Sequence, residues 1–164
     1  IEYIINNLNE IIKEAISTTK EVSNDLNPHV LNNYGLVSAI ELFVDKVSTQ
    51  IAINFTQNIE NSRFAPAIEL SLYRISKELI NNTIKHAEAT KIDLSINEKN
   101  GRLNLYYEDD GKGIDDSALK GKNSGGMGLS NIISRAKSLN GSYNFHVNLD
   151  HGFKFDLTLP LIQE

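Results

Sequence analysis

Two pairs of alternating apolar runs are the feature that most limits how this 164-residue chain can fold. In each run an apolar side chain occupies every second position, so one face of a strand is apolar. Asn100 and Gly101 separate the first two runs and form a dipeptide that is typical of a tight hairpin turn. The sequence therefore predicts two antiparallel strand pairs. The runs cover residues 92–96 and 103–107 in the first pair, and residues 143–149 and 153–159, joined by a turn over residues 150–152, in the second.

Three segments with helical periodicity alternate with these strands. Apolar residues at helical spacing cover residues 36–51, and a second helix opens at Pro66 and runs to about His86. A third helix precedes Gly141, which is expected to end it in the left-handed conformation. With a short strand over residues 51–55, the order favours an α+β fold, with helices on one face of a mostly antiparallel sheet.

The first 26 residues carry apolar or small side chains at alternating spacings of four and three. This period is typical of a coiled-coil or bundle helix, and Ile4 and Ile11 widen the apolar face toward a bundle. Pro28 follows the helix and ends it. We expect the helix to pair with a helix of a second copy, although packing against its own domain explains the same pattern. The sequence thus divides into residues 1–30 and residues 31–164.

Composition excludes several classes of function. The chain carries 16 Lys and Arg against 21 Asp and Glu, and its net charge of −5 argues against a nucleic-acid partner. It has no cysteine, which removes disulfides, thiolate zinc sites and cysteine nucleophiles. No apolar run reaches the roughly 18 residues that a membrane span requires. The first residue is Ile1 and no signal peptide is visible, so we expect the chain to be cut from a longer protein.

A polar stripe lies near the end of the helix that opens at Pro66. Glu78 and Asn82 are one turn apart, and Lys85 or His86 follows at the next turn. An Asn side-chain oxygen suits Mg²⁺ as a ligand, a Glu is able to orient or deprotonate a hydroxyl or water, and a Lys is able to meet phosphate charge. The stripe therefore has the contents of a metal and nucleotide site, although a solvated helix face has the same appearance.

A loop with two glycines follows the strand predicted over residues 103–107 and covers residues 109–114, ending at Ile114. Gly111 and Gly113 have no Cβ, so the backbone is able to adopt positive φ and to approach a flat ligand closely. An ionised Asp109 only accepts hydrogen bonds, so it suits the exocyclic amine of adenine and rejects the carbonyl of guanine. A plain connecting loop is the alternative.

A second glycine-rich segment opens the last predicted helix. The residues at its start are Gly126, Met127, Gly128 and Leu129. Backbone amides at such a helix start form a site for anions, and the helix dipole adds to it. Lys120 and Lys122 precede it on what we expect to be a mobile loop. The pattern lacks the GxxxxGK[ST] sequence of a Walker P-loop, and a flexible connection is the alternative.

Taken in order, the three motifs resemble the N, G1 and G2 boxes of the GHKL ATP-binding superfamily. The boxes are ELINNTIKHA over residues 78–87, DDGKGI over residues 109–114 and GMGL over residues 126–129. The superfamily includes gyrase, heat-shock chaperone and mismatch-repair ATPases and bacterial sensor histidine kinases. LNPHVLNNYGLVSAIE over residues 26–41 is similar to the hinge segment of histidine kinases of the nitrate-sensor and membrane-fluidity-sensor type.

The resemblance covers essentially the whole chain. It implies a Bergerat-type two-layer α+β sandwich, with helices on a mostly antiparallel mixed sheet, after a long N-terminal bundle helix. It implies that residues 31–164 bind ATP and transfer its γ-phosphoryl group to a histidine upstream of residue 1, for relay to a response regulator. Residues 1–30 then form the second helix of a dimerisation hairpin and the hinge, and the full protein is a homodimer. The expected location is the cytoplasm, or the cytoplasmic part of a membrane-anchored sensor.

The resemblance also implies roles for individual residues. Asn82 binds Mg²⁺, and Lys85 and His86 approach the phosphates of ATP. Asp109 binds adenine, and Glu78 occupies the superfamily's general-base position. The walls and the lid of the ATP site are implied to be formed by Gly111, Gly113, Ile114, Lys120, Lys122, Gly126, Met127, Gly128 and Leu129.

Two features depart from the family's pattern or compete with it. Family members often have Gly-Thr at the start of the last strand, where the threonine helps to hold the adenine side, whereas this chain has Gly152 and Phe153. Asn-Pro-His over residues 27–29 also resembles the phosphoacceptor segment of another sensor-kinase family, but the flanking pattern favours His29 as a hinge residue.

The alternative functions are an anti-sigma-type serine kinase, against which the hinge segment argues, and a nucleotide-responsive dimerisation module without transferase activity.

Overall fold

The computed structural model of the protein describes residues 29–113, 127–147 and 152–161. These residues form helices, strands and one π-helical turn. In chain order they are α1 (His29–Val47), β1 (Ala52–Asn58), α2 (Pro66–Asn82), the π-turn (Thr83–Ala87), β2 (Lys91–Lys99), β3 (Arg102–Asp109), α3 (Met127–Ser138), β4 (Ser142–Val147) and β5 (Phe153–Pro160).

The strands of the described residues form one mixed sheet in the order β1-β2-β3-β5-β4. β1 runs parallel to β2, and every other neighbouring pair is antiparallel. Asn100 and Gly101 close the β2–β3 hairpin with φ angles of 53° and 68°, and two positive φ angles are what a type I′ turn requires. The sheet confirms the predicted α+β class and both predicted strand pairs.

The core lies between the helices and one face of this sheet. Buried positions alternate along β2, β3 and β5, so each strand presents an apolar face to the helices. Because the alternation fixes the register, Asp109 at the end of β3 points to the same buried face as Tyr107. The fully buried apolar residues include Ile40, Leu72, Ile75, Leu79, Ile80, Ile92, Leu94, Ile96, Leu103, Leu105, Ile132, Phe155, Leu157 and Leu159.

The helix α2 contacts both α1 and α3, and its start is tied to α1 by a buried carboxylate. Glu69, in the first turn of α2, accepts two hydrogen bonds of 3.0 Å from the guanidinium of Arg63 and one of 2.9 Å from the N–H of Phe64. Arg63 also donates to the carbonyl oxygen of Asn32 in α1 at 3.2 Å. This arrangement fixes the kinked end of α1 against the helix that carries the polar stripe.

The helix α1 begins earlier than the periodicity predicts. The sequence predicts a hinge followed by a helix from residue 36, whereas the structure has a helix from His29 with one break at Gly35. The backbone angles of Gly35, φ 83° and ψ −178°, are not helical. A Cβ at Gly35 would lie 3.2 Å from the carbonyl oxygen of Ser62, so the glycine allows the bent helix to pass close to that residue. The bend therefore lies inside the helix and not before it.

The helix predicted from Pro66 to about His86 contains two kinds of turn. The α-helical part ends at Asn82, and the π-turn over Thr83–Ala87 continues it. Apolar spacing does not distinguish the i→i+4 bonds of an α-helix from the i→i+5 bonds of a π-turn, so this change is not visible in the sequence.

The prediction that Gly141 ends α3 in the left-handed conformation is wrong. Asn140, with a φ of 54°, is the left-handed residue there. Gly141 is required by packing instead, because a Cβ at this position would lie 2.5 Å from Cδ2 of Leu159 and 3.0 Å from the carbonyl oxygen of Ala136. The glycine thus allows the chain leaving α3 to pass close to β5.

The predicted helix over residues 1–26 lies outside the described residues. The domain division at residue 30 and the dimer formed through that helix therefore stay predictions. Within the described ranges, no helix combines the length and the hydropathy that a membrane crossing requires.

The hydroxyl of Ser76 is buried in α2 without a hydrogen-bond partner, and such a group costs about 1–3 kcal/mol. We expect Ser76→Ala to raise the free energy of unfolding by about 1 kcal/mol, measured by urea denaturation. Ser71→Ala, at a half-buried position of the same helix, is the matched control for the higher helix propensity of alanine. A lower free energy of unfolding in Ser76→Ala than in Ser71→Ala would contradict this expectation.

Candidate functional site

Asp109 ends β3 with its carboxylate buried on the helix side of the sheet, and the residue is only 3% exposed. Its Oδ1 accepts hydrogen bonds from the N–H of Gly111 at 3.0 Å and of Phe153 at 3.2 Å. Its Oδ2 accepts a hydrogen bond of 2.6 Å from the hydroxyl of Thr83. All three partners donate, as an ionised carboxylate requires, and such bonds offset the cost of burying the charge. The residue predicted to bind adenine therefore lies where β3, β5 and the π-turn meet.

A second hydroxyl lies behind Thr83. The phenol oxygen of Tyr107 is 2.6 Å from Thr83 Oγ1 and 3.3 Å from the carbonyl oxygen of Leu79. Burial raises the pKa of Tyr107 far above its ordinary value, the hydrogen bond to Thr83 opposes the rise, and the charge of Asp109 adds to it. Tyr107 therefore remains protonated at neutral pH. Sequence patterns place Tyr107 in the core and give Thr83 no role. Neither residue is therefore identified as part of the site without the structure.

The loop after β3 is fixed against the end of the π-turn. The N–H of Lys112 donates to the carbonyl oxygen of Ala87 at 2.9 Å. A Cβ on Gly111 would lie 2.5 Å from the same oxygen, so the close approach depends on glycine at this position. Gly113 has a φ of 72°, as the two-glycine pattern predicts. The first half of the loop is thereby held close to the helix that carries Asn82.

Asp110 fixes the other side of this loop. Its carboxylate accepts hydrogen bonds from the hydroxyl of Thr90 and from the N–H groups of Thr90 and Lys91. The bond from the Thr90 hydroxyl is the main cause that lowers the pKa of Asp110 below its ordinary value. Since the folded-state pKa is lowered, these bonds contribute stability above the ordinary pKa and lose it as the pH falls through the lowered value.

Glu78 and Asn82 lie on successive turns of α2 and face the start of α3. A Cβ added to Gly128 would overlap Oε1 of Glu78 and lie 3.2 Å from Nδ2 of Asn82. Both side chains are half-buried, and neither makes a hydrogen bond within the described part of the chain. The structure thus brings the first and third sequence motifs together, with two polar side chains available to a ligand.

Arg135 of α3 belongs to the same region, although no motif includes it. Burial lowers the pKa of Arg135, the nearby Arg74 lowers it further, and Glu78 raises it. The carboxylate of Glu78 therefore lies in the field of a half-buried cation from α3. Arg135 is seven residues after Gly128, so both residues lie on one face of α3. This spacing is the sequence signal that assigns Arg135 to the region of the site.

The π-turn presents Lys85 and His86 to solvent. Both side chains are exposed, and within the described residues neither makes a hydrogen bond or an ion pair. Single π-helical turns are frequent at functional sites, and this one begins directly after Asn82. Lys85 and His86 are therefore exposed just beyond Asn82, and their place in the predicted site stays a prediction.

Part of the predicted wall and the whole predicted lid lie outside the described residues. These residues are Ile114, Lys120, Lys122 and Gly126. Met127 and Leu129 are in the first turn of α3, and Leu129 is half-buried against the core. The roles of these six residues stay predictions.

Within the described residues, no group of three or more His, Asp or Glu side chains is arranged to hold a metal ion. Mg²⁺ does not require such a group, because it usually takes one or two protein ligands together with phosphate oxygens and water. Asn82 supplies an amide oxygen and Glu78 a carboxylate one turn away, and the interaction of Glu78 with Arg135 is electrostatic and leaves its oxygens without a hydrogen bond in the described residues. The pair therefore fits Mg²⁺ bound together with a nucleotide.

Helices on one face of a mixed sheet, with a buried carboxylate at the end of a central strand, define the class as an ATP-binding domain of the GHKL type. Residues 67–163 match the family described as histidine kinase-, DNA gyrase B-, and HSP90-like ATPase. The chain belongs to this family. The match confirms the superfamily that the three motifs predict.

Two curated relatives are sensor kinases of longer length. The sensor histidine kinase ComP of Bacillus subtilis (strain 168) is 32% identical over 158 residues, which is 94% of this chain and 20% of ComP. The signal transduction histidine-protein kinase/phosphatase DegS of Brevibacillus brevis is 25% identical over 162 residues, which is 98% of this chain and 41% of DegS. The chain thus spans between a fifth and two fifths of these relatives.

Solved structures with the same fold include two histidine kinases. The histidine kinase AdeS of Acinetobacter baumannii superposes with a TM-score of 0.61 at 16% identity, over 95% of this chain and 85% of AdeS. The blue-light activated histidine kinase EL346 of Erythrobacter litoralis gives a TM-score of 0.61 at 17% identity, over 74% of this chain and 40% of EL346. These likenesses confirm the fold. The nitrate-sensor and membrane-fluidity-sensor subtype stays a prediction.

Gly152 has a φ of 77°, and a Cβ at this position would overlap the carbonyl oxygen of Asp109. The overlap is with backbone and cannot be relieved by rotating a side chain. We expect Gly152→Ala to lower the free energy of unfolding by about 2 kcal/mol or more, from left-handed strain and overpacking together. Urea denaturation measures the change.

Gly128→Ala is the matched control, because its Cβ would overlap only the flexible end of Glu78, which is able to rotate away. Alanine also has the higher helix propensity. We therefore expect Gly128→Ala to change the free energy of unfolding by less than about 1 kcal/mol. Equal losses in the two variants would contradict the close backbone approach between Gly152 and Asp109.

Proposed function

We propose that this chain is the ATP-binding kinase region of a two-component sensor histidine kinase. It would bind Mg-ATP and transfer the γ-phosphoryl group to a histidine outside residues 1–164, for relay to a response regulator. The observation that carries the proposal is the buried carboxylate of Asp109, which three donors hold at the edge of the nucleotide-binding motifs. The three motifs and the sensor-kinase relatives support the same assignment.

Asp109 would select adenine. An ionised carboxylate only accepts hydrogen bonds, so a base with an exocyclic amine gains a bond at this position, and guanine, with a carbonyl there, meets repulsion. The close approach of the loop at Gly111 to Ala87 supports a narrow wall for a flat base. Base recognition would thus depend on groups that are fixed before the nucleotide arrives.

Asn82 and Glu78 would hold Mg²⁺ together with the phosphates. The metal would neutralise charge on the phosphate oxygens, which is its usual contribution to phosphoryl transfer. Lys85 and His86, which are exposed on the π-turn, would meet the phosphates, and Lys120 and Lys122 would belong to the lid. The amides at the start of α3, from Gly128 onward, would bind a phosphate anion, as amides at glycine-rich helix starts do.

Transfer would take place by in-line attack of a histidine ring nitrogen on the γ-phosphorus, with ADP leaving and a carboxylate taking the proton from the other ring nitrogen. We assign Glu78 as the candidate for this carboxylate. Its half-buried position beside Asn82 and its freedom from other hydrogen bonds in the described residues support the assignment.

The division of the chain into residues 1–30 and residues 31–164 is part of the proposal. Residues 1–30 would belong to the dimerisation hairpin and hinge, and two copies would pair through this helix. Residues 31–164 would form the catalytic domain, on the cytoplasmic side of any membrane to which the full protein is attached. The heptad spacing of the first 26 residues supports the pairing.

Asp109→Asn tests the nucleotide site. The amide places an N–H₂ group where the adenine amine needs an acceptor, so we expect ATP affinity to fall more than about tenfold while the protein stays folded. Isothermal titration calorimetry with Mg-ATP measures the affinity, and circular dichroism monitors the fold. Asp156→Asn, on the outer face of β5, is the matched control. Unchanged ATP affinity in Asp109→Asn would contradict the assignment.

The phosphoacceptor is tested by incubating the chain with ATP that is radiolabelled at the γ-position. We expect ATP binding without incorporation of label, because His29 is a helical residue hydrogen-bonded to Asn33 and lies in a segment whose flanking pattern favours a hinge. Acid-labile labelling of the wild-type chain that is lost in His29→Gln would contradict both the acceptor assignment and the sensor-kinase subtype.

A further inference from the structure

Thr83 lies in the centre of the site, and no sequence motif gives this residue a role. It is the first residue of the π-turn, it is 3% exposed, and its hydroxyl lies 2.6 Å from Oδ2 of Asp109 and 2.6 Å from the phenol oxygen of Tyr107. The hydroxyl is therefore bonded on both sides and has one orientation. Burying two hydroxyl groups and a carboxylate together is costly unless each of them has its hydrogen-bond partners.

The bonds of Asp109 show why this orientation matters. Each carboxylate oxygen has about two acceptor positions. Both positions of Oδ1 are taken by protein, from the N–H groups of Gly111 and Phe153. Oδ2 receives one bond, from Thr83, which leaves one position. A ligand amine is consequently able to bond only to Oδ2, and Thr83 determines where that remaining position points.

The direction of the hydrogen bonds follows from chemistry. An ionised Asp109 has no hydrogen, so Thr83 donates its single hydrogen to Oδ2. Thr83 Oγ1 is then left as an acceptor for Tyr107, whose single hydrogen is shared between Thr83 Oγ1 at 2.6 Å and the carbonyl oxygen of Leu79 at 3.3 Å. The three groups form a chain from Tyr107 through Thr83 to Asp109, in which Thr83 keeps its role as donor to Oδ2 while the carboxylate is charged.

The strand β5 supplies no hydroxyl to this carboxylate. Phe153 donates only its N–H to Asp109, and its ring packs with those of Tyr107 and Phe145, at centroid distances of 6.3 and 5.8 Å. The place at which the family resemblance leads us to expect a threonine is thus filled by an aromatic side chain that points into the core. The only side-chain donor on Asp109 within the described residues comes from the π-turn.

We propose that Thr83 is the positioning residue for base selection, since its hydroxyl, oriented by Tyr107, directs the remaining acceptor position of Asp109 toward an adenine amine. The hydroxyl that fixes the carboxylate comes from the helix and not from the last strand. This inference rests on the proposed function, because it assumes that Asp109 receives the base of ATP.

Thr83→Val tests the inference, because valine keeps the shape of threonine and removes the hydroxyl. We expect the affinity for Mg-ATP to fall about tenfold, and the ratio of ATP to GTP affinity to fall as well, because the carboxylate loses one charge-assisted bond and its fixed orientation. Thr83→Ser restores the hydroxyl and should return both quantities to within about twofold of the wild type. Titration calorimetry with the two nucleotides measures them.

Thr158→Val is the matched control. Thr158 lies five residues further along β5 than Phe153, and its hydroxyl donates to Oδ1 of Asn104 at 2.9 Å. Its replacement removes one threonine hydrogen bond, to a neutral amide and away from Asp109, and we expect ATP affinity and base selectivity to be unchanged. The ratio of ATP to GTP affinity should fall in Thr83→Val and not in Thr158→Val. This difference separates a positioning role of Thr83 from a general loss of stability.

The outcomes separate the inference from the proposed function. Wild-type affinity and selectivity in Thr83→Val, together with lost binding in Asp109→Asn, overturn the inference and leave the proposed function intact. Wild-type binding in Asp109→Asn overturns the site itself. Should Thr83→Val fail to fold, Tyr107→Phe removes the group that orients Thr83, and an unchanged ratio of ATP to GTP affinity in that variant overturns the inference.

Discussion

The burial of one carboxylate is the constraint on which the rest of the site depends. Asp109 is an acid at a 3% exposed position, and such a charge is tolerated only where several donors converge on it. The donors come from the loop after β3, from the start of β5 and from the π-turn. Three segments that are distant in sequence, the end of β3 with its loop, the start of β5 and the π-turn, are therefore held together by one residue. The glycines at positions 111 and 152 follow from this convergence, because each lies where backbone meets backbone with no space for a Cβ.

The π-turn lies where a buried site residue and exposed site residues follow each other closely along the chain. Thr83 must face the sheet to reach Asp109, whereas Lys85 and His86, two and three residues later, are exposed. A π-turn inserts an extra residue into the helical repeat and changes where the following side chains point. The carbonyl of Ala87 at its end is bonded by the N–H of Lys112, so the loop and the turn stabilise each other. The irregular turn is thus a consequence of placing buried and exposed site residues on one short segment.

The features that the sequence predicts correctly are those that depend on neighbours along the chain. The hairpin at Asn100 and Gly101 and the alternating strands follow from local patterns. The position of Asp109 at the end of a strand and before a two-glycine loop follows in the same way, whereas its role in binding adenine stays a prediction. Thr83 and Tyr107 are not predictable in this way, because their contacts join residues 24 and 26 positions apart. The bend inside α1 and the left-handed Asn140 are missed for a related reason, since the glycines nearby serve packing against Ser62 and Leu159.

Ser76 and Thr83 show how similar burial leads to different consequences. They are seven residues apart, Ser76 is 1% exposed and Thr83 is 3% exposed, and each carries one hydroxyl. Ser76 finds no hydrogen-bond partner, whereas Thr83 is bonded to Asp109 and Tyr107. An unbonded hydroxyl only lowers stability, while a doubly bonded one fixes the orientation of a charged group. Burial alone therefore does not mark a functional residue. The informative feature is a buried polar group whose bonds lead directly to an atom that still has an acceptor position for a ligand.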